Sequence, residues 1–167
     1  MRTVDVDNTL VYPPVPGDDR KQFSNATFAV RRCSRDRIAV GVRGDIDAVN
    51  GRELARYVVH HTRASRQLVL DLRSVDFFGT QGFTALYYIS VHCARTDVDW
   101  AIVGSRHVRR LLSICDPGGE LPLADNLRAA LRRLDRISHS RHHRRWSARS
   151  EILSSCNAAL SRSAVRP

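Results

Sequence analysis

Lysine is almost missing from this chain: of its 27 basic residues only Lys21 is not arginine. That bias is read first as the coding composition of a GC-rich genome. Long apolar runs are missing as well. None approaches the roughly 20 residues that a bilayer-spanning helix needs, so membrane insertion is not expected. The opening MRTVDVDNTL lacks the charged-then-apolar plan of a secretory signal, so a cytoplasmic location is expected. The four cysteines (Cys33, Cys93, Cys115, Cys156) show no CxxC spacing. They are read as small buried hydrophobes, not as a metal or disulfide framework, and no cofactor is expected. GxxxxGK, HExxH and GxSxG are absent too, so none of the familiar catalytic plans is present and no enzyme is expected.

What is present is basic and unevenly placed. The formal charge is +10 over 167 residues. Residues 1–25 carry three cations and four anions, residues 26–135 carry 17 and 12, and residues 136–167 carry seven and one. A chain of this length is expected to form one domain with some tail.

Residues 1–25 hold Pro13, Pro14, Pro16 and Gly17 among several charges and read as a flexible arm. Inside it, Asp5-Val6-Asp7-Asn8-Thr9 imitates the DxDxT motif of Mg²⁺-dependent aspartyl phosphatases. That chemistry needs Asp5 at the end of a buried strand as nucleophile, with Asp7 as acid/base. Only Met1–Val4 precede it, so a small phosphatase stands as the weakest reading.

Residues 27–43 predict two strands joined by a hairpin at Ser34-Arg35-Asp36, with Phe28 and Val30, then Ile38, Val40 and Val42, on alternating positions. Gly44-Asp45-Ile46-Asp47 is read as stopping the second strand. A helix is expected over roughly 48–64, with Leu54, Val58 and His61 on one face and Asp47 as its cap. His60 and His61 are read as helix surface and partial core, not as ligands.

The stretch Leu68 to Arg95 organises the rest. Leu68-Val69-Leu70-Asp71-Leu72 is the pattern of a strand buried on both faces. Phe77-Phe78 and the small turn Gly79-Thr80-Gln81-Gly82 follow. A helix is then expected, with Phe83, Leu86, Tyr87, Val91 and Ala94 apolar. A strand that feeds a helix in this way presents the helix N-terminus, with unpaired N–H groups and partial positive charge, at one edge of the fold.

Val98–Gly104 reads as a further strand, Val108, Leu111, Leu112 and Cys115 as a short helix, and Leu121-Pro122-Leu123 as a short edge strand. Leu127, Ala130, Leu131 and Leu134 mark a last helix. The order is ββαβαβαβα. It predicts an α/β domain, a mixed sheet of about five strands flanked by about four helices, over residues 26–137. From residue 138 periodicity is lost, and 138–167 reads as a basic disordered tail that touches acidic surfaces or nucleic acid only non-specifically. His139, His142 and His143 have no spaced partner to complete a metal site.

Three places resemble the STAS domain, and within it the bacterial anti-sigma factor antagonists, of an actinobacterial type. Gly44-Asp45-Ile46-Asp47 resembles the G-E-[LI]-D turn of the family, and Leu68–Leu72 with Val75-Asp76-Phe77-Phe78 resembles its central strand and exit. Gly79-Thr80-Gln81-Gly82-Phe83 lies where the family has D-S-S-G-[LVI]. The resemblance implies a switch that works by binding. Such a protein docks on an anti-sigma factor, typically kinase-like, and frees the sigma factor. Phosphorylation of the second serine ends the docking by adding about 1.5 to 2 negative charges.

Here that serine is replaced by Gln81, which has no hydroxyl. Thr80 remains as a phosphoacceptor candidate, with helix capping as its plainer role. Thr3, Thr9 or Ser24 would be alternative targets of a Ser/Thr protein kinase. The resemblance thus implies partner-binding residues Asp45, Asp47, Gly79, Thr80, Gln81 and Gly82, and no catalytic ones. An accessory STAS subunit of a lipid transporter, or a part of a stress-sensing complex, stays open as the alternative.

Overall fold

Gln67–Phe78 is the longest strand of the protein, and the other elements take their places from it. The computed structural model describes residues 19–141. In chain order these form β1 (Arg20–Phe23), β2 (Ala26–Arg32), β3 (Arg37–Ile46), α1 (Gly51–Thr62), β4 (Gln67–Phe78), α2 (Thr80–Thr96), β5 (Asp99–Gly104), α3 (Arg106–Cys115) and β6 (Leu123–Ala124). A last helix, α4, occupies 127–141. The strands lie side by side in sequence order. β1, β2 and β3 pair antiparallel, and β3, β4, β5 and β6 pair parallel.

This is the mixed α/β sheet expected, with six strands where about five were predicted. The additional strand, β1, lies in the stretch read as arm. Its RKQF sequence shows no strand-like alternation, because an exposed edge strand needs only backbone pairing with its one neighbour. Asp5, Asp7, Thr3, Thr9, Cys156 and most of the basic tail lie outside the described residues.

The core has two parts. Leu68, Leu70 and Leu72 point to one face, where they join Phe28, Val40, Ile102, Leu54, Leu86 and Val108 under α1, α2 and α3. Val69 points to the other, with Ala101 and Val103, and meets Leu127, Ala130 and Leu134 of α4. β4 is therefore buried on both faces, as its unbroken apolar run implies. Each such leucine contributes roughly 1.5–3 kcal/mol by its burial. The one polar residue at the start of this strand is also buried, and it is satisfied. Gln67 donates to Leu134 O at 2.8 Å and Ser138 Oγ at 2.7 Å, and accepts from Arg37 Nε at 2.8 Å.

Local geometry departs from the sequence expectations in several places. β3 does not stop at Gly44 but runs through it to Ile46. Gly44 has φ +96° and lies so close to the Asn25 carbonyl that no Cβ fits. The register against β4 shifts there, and the strand continues past an irregularity that the sequence suggests is an end. α1 begins at Gly51 with Asn50 in the cap position, so Asp47 does not cap it directly.

In α2 the buried residues are Gly82, Ala85, Leu86, Ile89 and Cys93, while Tyr87 is exposed. Leu86 and Ile89 fill the core, and the small Gly82 seats the helix closely on Phe78 of β4, so the buried stripe is set by size as well as by hydropathy. Of the described cysteines only Cys93 is buried. Burial is the main reason its thiol is pushed up to about 12, and nearby Asp99 adds to it.

Candidate functional site

β3 and β4 are parallel neighbours, so the chain leaves both at the same end of the sheet. Gly79 N donates to Ile46 O at 2.9 Å and ties the two exits together. The turns after them, Asp45–Asn50 and Gly79–Gly82, therefore meet. The resemblance implies Asp45, Asp47 and Gly79–Gly82 as one partner-binding set, and the geometry brings the two segments together.

The first turn is built by its own side chains. Asp47 Oδ1 accepts from Val49 N at 2.8 Å and Asn50 N at 3.4 Å. Asn50 Oδ1 accepts from Asp47 N at 3.0 Å, and Asn50 Nδ2 donates to Asp45 O at 2.8 Å. The Asp47 carboxylate is thus occupied in holding the turn, and it is half-buried. Asn50 was not singled out from the sequence, yet it is fully buried and joins Asp45 to Asp47. The signal available was an Asx residue three positions after another, a pattern of reciprocal side-chain to backbone bonding. Val49, at the tip, is 70% exposed.

The second turn carries no such bracing. Gly79 occupies the cap position of α2 with extended backbone and no side-chain hydrogen bond. Thr80 is the first helical residue and caps nothing; its carbonyl accepts from Thr84 Oγ1 at 3.2 Å. Its hydroxyl and the Gln81 side chain lie on the exposed surface. Gly82 is buried, and a Cβ there would lie 2.5 Å from the Phe78 ring. On Gly51 of α1, a Cβ would lie 2.8 Å from the Gln81 carbonyl oxygen. Gly51 thus lets α1 approach α2 at their N-termini, Gly82 seats α2 on Phe78 of β4, and the two contacts set the backbone height of Gln81.

Alongside this contact the outer faces of the two helices flank a groove of about 560 Å³. Arg52, Arg56 and Val59 form one wall, and Gln81, Thr84 and Tyr88 the other. Tyr88 is 62% exposed and Phe77, beside Gly79, 53%. Exposed aromatic and apolar side chains rimmed by polar ones mark an interaction surface more than a catalytic one. Among the described residues no group of His, Cys, Asp and Glu could hold a metal. No described helix is long and apolar enough to cross a membrane.

At the other end of the α1–α2 pair, His92 Nε2 lies 2.9 Å from Thr62 Oγ1 and His61 Nε2 lies 3.1 Å from Asp19 Oδ2. Burial lowers the pKa of both imidazoles from their ordinary value; at His61 it outweighs the opposing pull of Asp19. His61 is thus a part-buried packing residue against Tyr57, as read from the sequence, and His60 an exposed one.

Comparison with known proteins follows the same line. The chain is 32% identical over 96 residues to Osmosensory protein A of Mycobacterium tuberculosis, across 55% of this chain and 61% of that protein. It is 29% identical over 123 residues to the anti-sigma-F factor antagonist RsfA of the same species, across 71% of this chain and 96% of that one. The chain thus spans about three fifths of the first relative and nearly all of the second.

Two solved structures share the fold. An anti-sigma factor antagonist from Mycobacterium paratuberculosis superposes with a TM-score of 0.54 at 23% identity, over 64% of this chain and 91% of that one. The unphosphorylated anti-sigma factor antagonist SpoIIAA superposes at 0.53 with 11% identity, over 67% and 96%. The family model of the STAS domain matches residues 30–130, which take in the whole of β3 to β6 and both turns of the site: the chain belongs to the STAS domain family.

Proposed function

We propose that this protein is an anti-sigma factor antagonist, which binds a kinase-like anti-sigma factor at the joined Asp45–Asn50 and Gly79–Gly82 turns and releases the sigma factor. The similarity to RsfA along nearly its full length supports the role. The observation that carries the placement is the tied pair of exits. Gly79 is bonded to Ile46, Gly51 lies against Gln81, and Val49, Phe77, Thr80 and Gln81 are exposed around them.

The mechanism is one of differential binding, with no bond made or broken by this chain. Gly79 leaves the α2 N-terminus without a side chain over it, so a partner reaches its N–H groups and positive end directly. Val49 and Phe77 supply apolar area beside it. In the family's usual form, a phosphate at the position of Gln81 ends docking. Here the amide of Gln81 keeps that position uncharged, so the antagonist is constitutively competent unless Thr80, or a residue of the N-terminal segment such as Thr3, is modified.

The test is affinity capture with the full chain, followed by identification of the bound protein and titration of it. A kinase-like anti-sigma factor is expected. The double substitution Thr80→Glu/Gln81→Glu is expected to weaken it at least tenfold, or about 1.4 kcal/mol. Undiminished affinity would remove the site from this edge. Similarity to a protein named Osmosensory protein A favours a stress-sensing complex as the second reading, and capture of a transporter ATPase would point to the accessory-subunit version.

A further inference from the structure

The residue at which the described chain begins is fixed to the helix that walls the groove. Asp19 O accepts from Tyr57 Oη of α1 and, at 3.0 Å, from Val30 N of β2; its carboxylate lies 3.1 Å from His61 of α1. The described chain thus begins against α1 and β2. Residues 1–18 are acidic, with Asp5, Asp7 and Asp18 against Arg2. Their apolar members, Val4, Val6, Leu10, Val11 and Tyr12, flank the first two aspartates.

The surface they meet has the opposite charge. A shallow depression of about 380 Å³ beside Asp19 is lined by Lys21, Arg56, Val59 and Arg63, with Glu53 the one carboxylate. It shares Arg56 and Val59 with the groove between α1 and α2, where Arg52, Tyr88 and Gln81 lie. Arg56 is 73% exposed, and among the described residues its ion pair is the weak i,i+3 contact to Glu53 at 3.4 Å. A continuous cationic path with apolar footholds thus leads from Asp19 to Gln81.

We propose that residues 1–18 of this chain dock in the groove between α1 and α2, with Asp5 and Asp7 against Arg52 and Arg56, and cover the Gln81 edge. Reach permits it. Twelve peptide units separate Asp7 from Asp19 and span up to roughly 40 Å, and α1 is about 18 Å long. A tethered segment competes at an effective concentration of about millimolar, so weak intrinsic binding is enough to fill the groove part of the time. Charge complementarity decides the occupant: the basic residues after 141 would be repelled by the same arginines.

The docking itself stands apart from the proposed function. Its consequence rests on that reading: the segment would be a built-in competitor of the partner, placed where the missing serine would otherwise regulate.

Backbone amide spectra of the ¹⁵N-labelled full chain test the docking. Arg52→Glu/Arg56→Glu is expected to shift the amides of residues 3–12 and to raise their hydrogen-exchange rates. Asp5→Lys/Asp7→Lys is expected to shift those of residues 52–59 and 81–88. The two sets combined restore the pairing with reversed charge, so the amides return toward their wild-type positions. The sheet amides serve as the control for folding.

Residues 3–12 indifferent to the groove substitutions, or a combined variant no closer to wild type, would overturn the proposal. So would effects that vanish on dilution, which would assign the groove to a second copy. Against the captured partner, Asp5→Lys/Asp7→Lys should raise affinity roughly two- to tenfold. Spectral docking without that gain would retain the intramolecular contact and sink the reading of Gln81 as part of the partner site.

Discussion

Two helices of this domain begin in the same way and end up different. α2 and α3 both follow a parallel strand at the same end of the sheet. At α3 the start is closed by the chain's own side chains. Ser105 Oγ accepts from Val108 N, and Arg109 folds back to donate to the carbonyls of Gly104, Ala124 and Asp125 at 3.2, 2.6 and 2.8 Å. At α2 the corresponding residues are Gly79, Thr80 and Gln81, and no side chain caps the helix. Topology puts both starts at one edge. Side chains decide which is sealed and which is left for a partner. The sealed start is stabilised locally, and the open one is held in place by glycine contacts with α1 and β4.

The comparison is broken most severely at Gly82. Gly82→Val puts a branched side chain against the buried Phe78 ring, and such overpacking costs about 1–3 kcal/mol. Urea unfolding should show that loss, and partner affinity should fall with it, because the mouth of α2 is lifted off Phe78 of β4. Stability equal to wild type would mean that the seating of α2 on Phe78 is slack. The two caps provide a smaller and paired effect. Ser105→Ala should cost about 0.5–1 kcal/mol, at the low end because its bond to Val108 N is 3.5 Å long. Gly79→Ser should gain a few tenths of a kcal/mol, since the exposed Phe77 ring can turn away from the new Cβ. Losses of equal size at both positions would mean that α2 is as sealed as α3.

The mildest effect is confined to the far end of the α1–α2 pair. His61 and His92 have depressed pKa values in the fold, chiefly through burial, so the unfolded chain takes up their protons first as pH falls. The stability they lend is present above the ordinary histidine value near 6.5 and is lost as pH falls through their lowered folded values. Amides of α1 and α2 should therefore lose exchange protection below about pH 6 ahead of those of α3. His61→Gln/His92→Gln should flatten that dependence.

Much of this was legible in the order of residues. The apolar run Leu68–Leu72 implied a strand covered on both sides, and it is. Gly44–Asp47 and Gly79–Gly82 stand out as the two family-like turns, and the fold joins them through the bond from Gly79 N to Ile46 O. Other features were hidden because their cause is another part of the chain. β1 pairs with β2 through backbone groups that any sequence carries. Asn50 matters because its side chain joins Asp45 to Asp47, a role set by the fold of the turn. The exposed face of α2 is not legible from apolar spacing, because Tyr87 reads as apolar yet faces outward, whereas Gly82, whose small size gives no hydropathy signal, is buried against Phe78.

By itself, then, the sequence determined the class of fold, the place where β4 gives way to α2, and the absence of a hydroxyl at Gln81, since these follow from local periodicity and residue chemistry. Only the tertiary structure decided that Gly51 lies against Gln81, that a cationic groove runs from there toward Asp19, and that α2 stays open while α3 is shut. Those are contacts between segments distant along the chain, and their geometry is set by packing, which no single stretch of residues encodes.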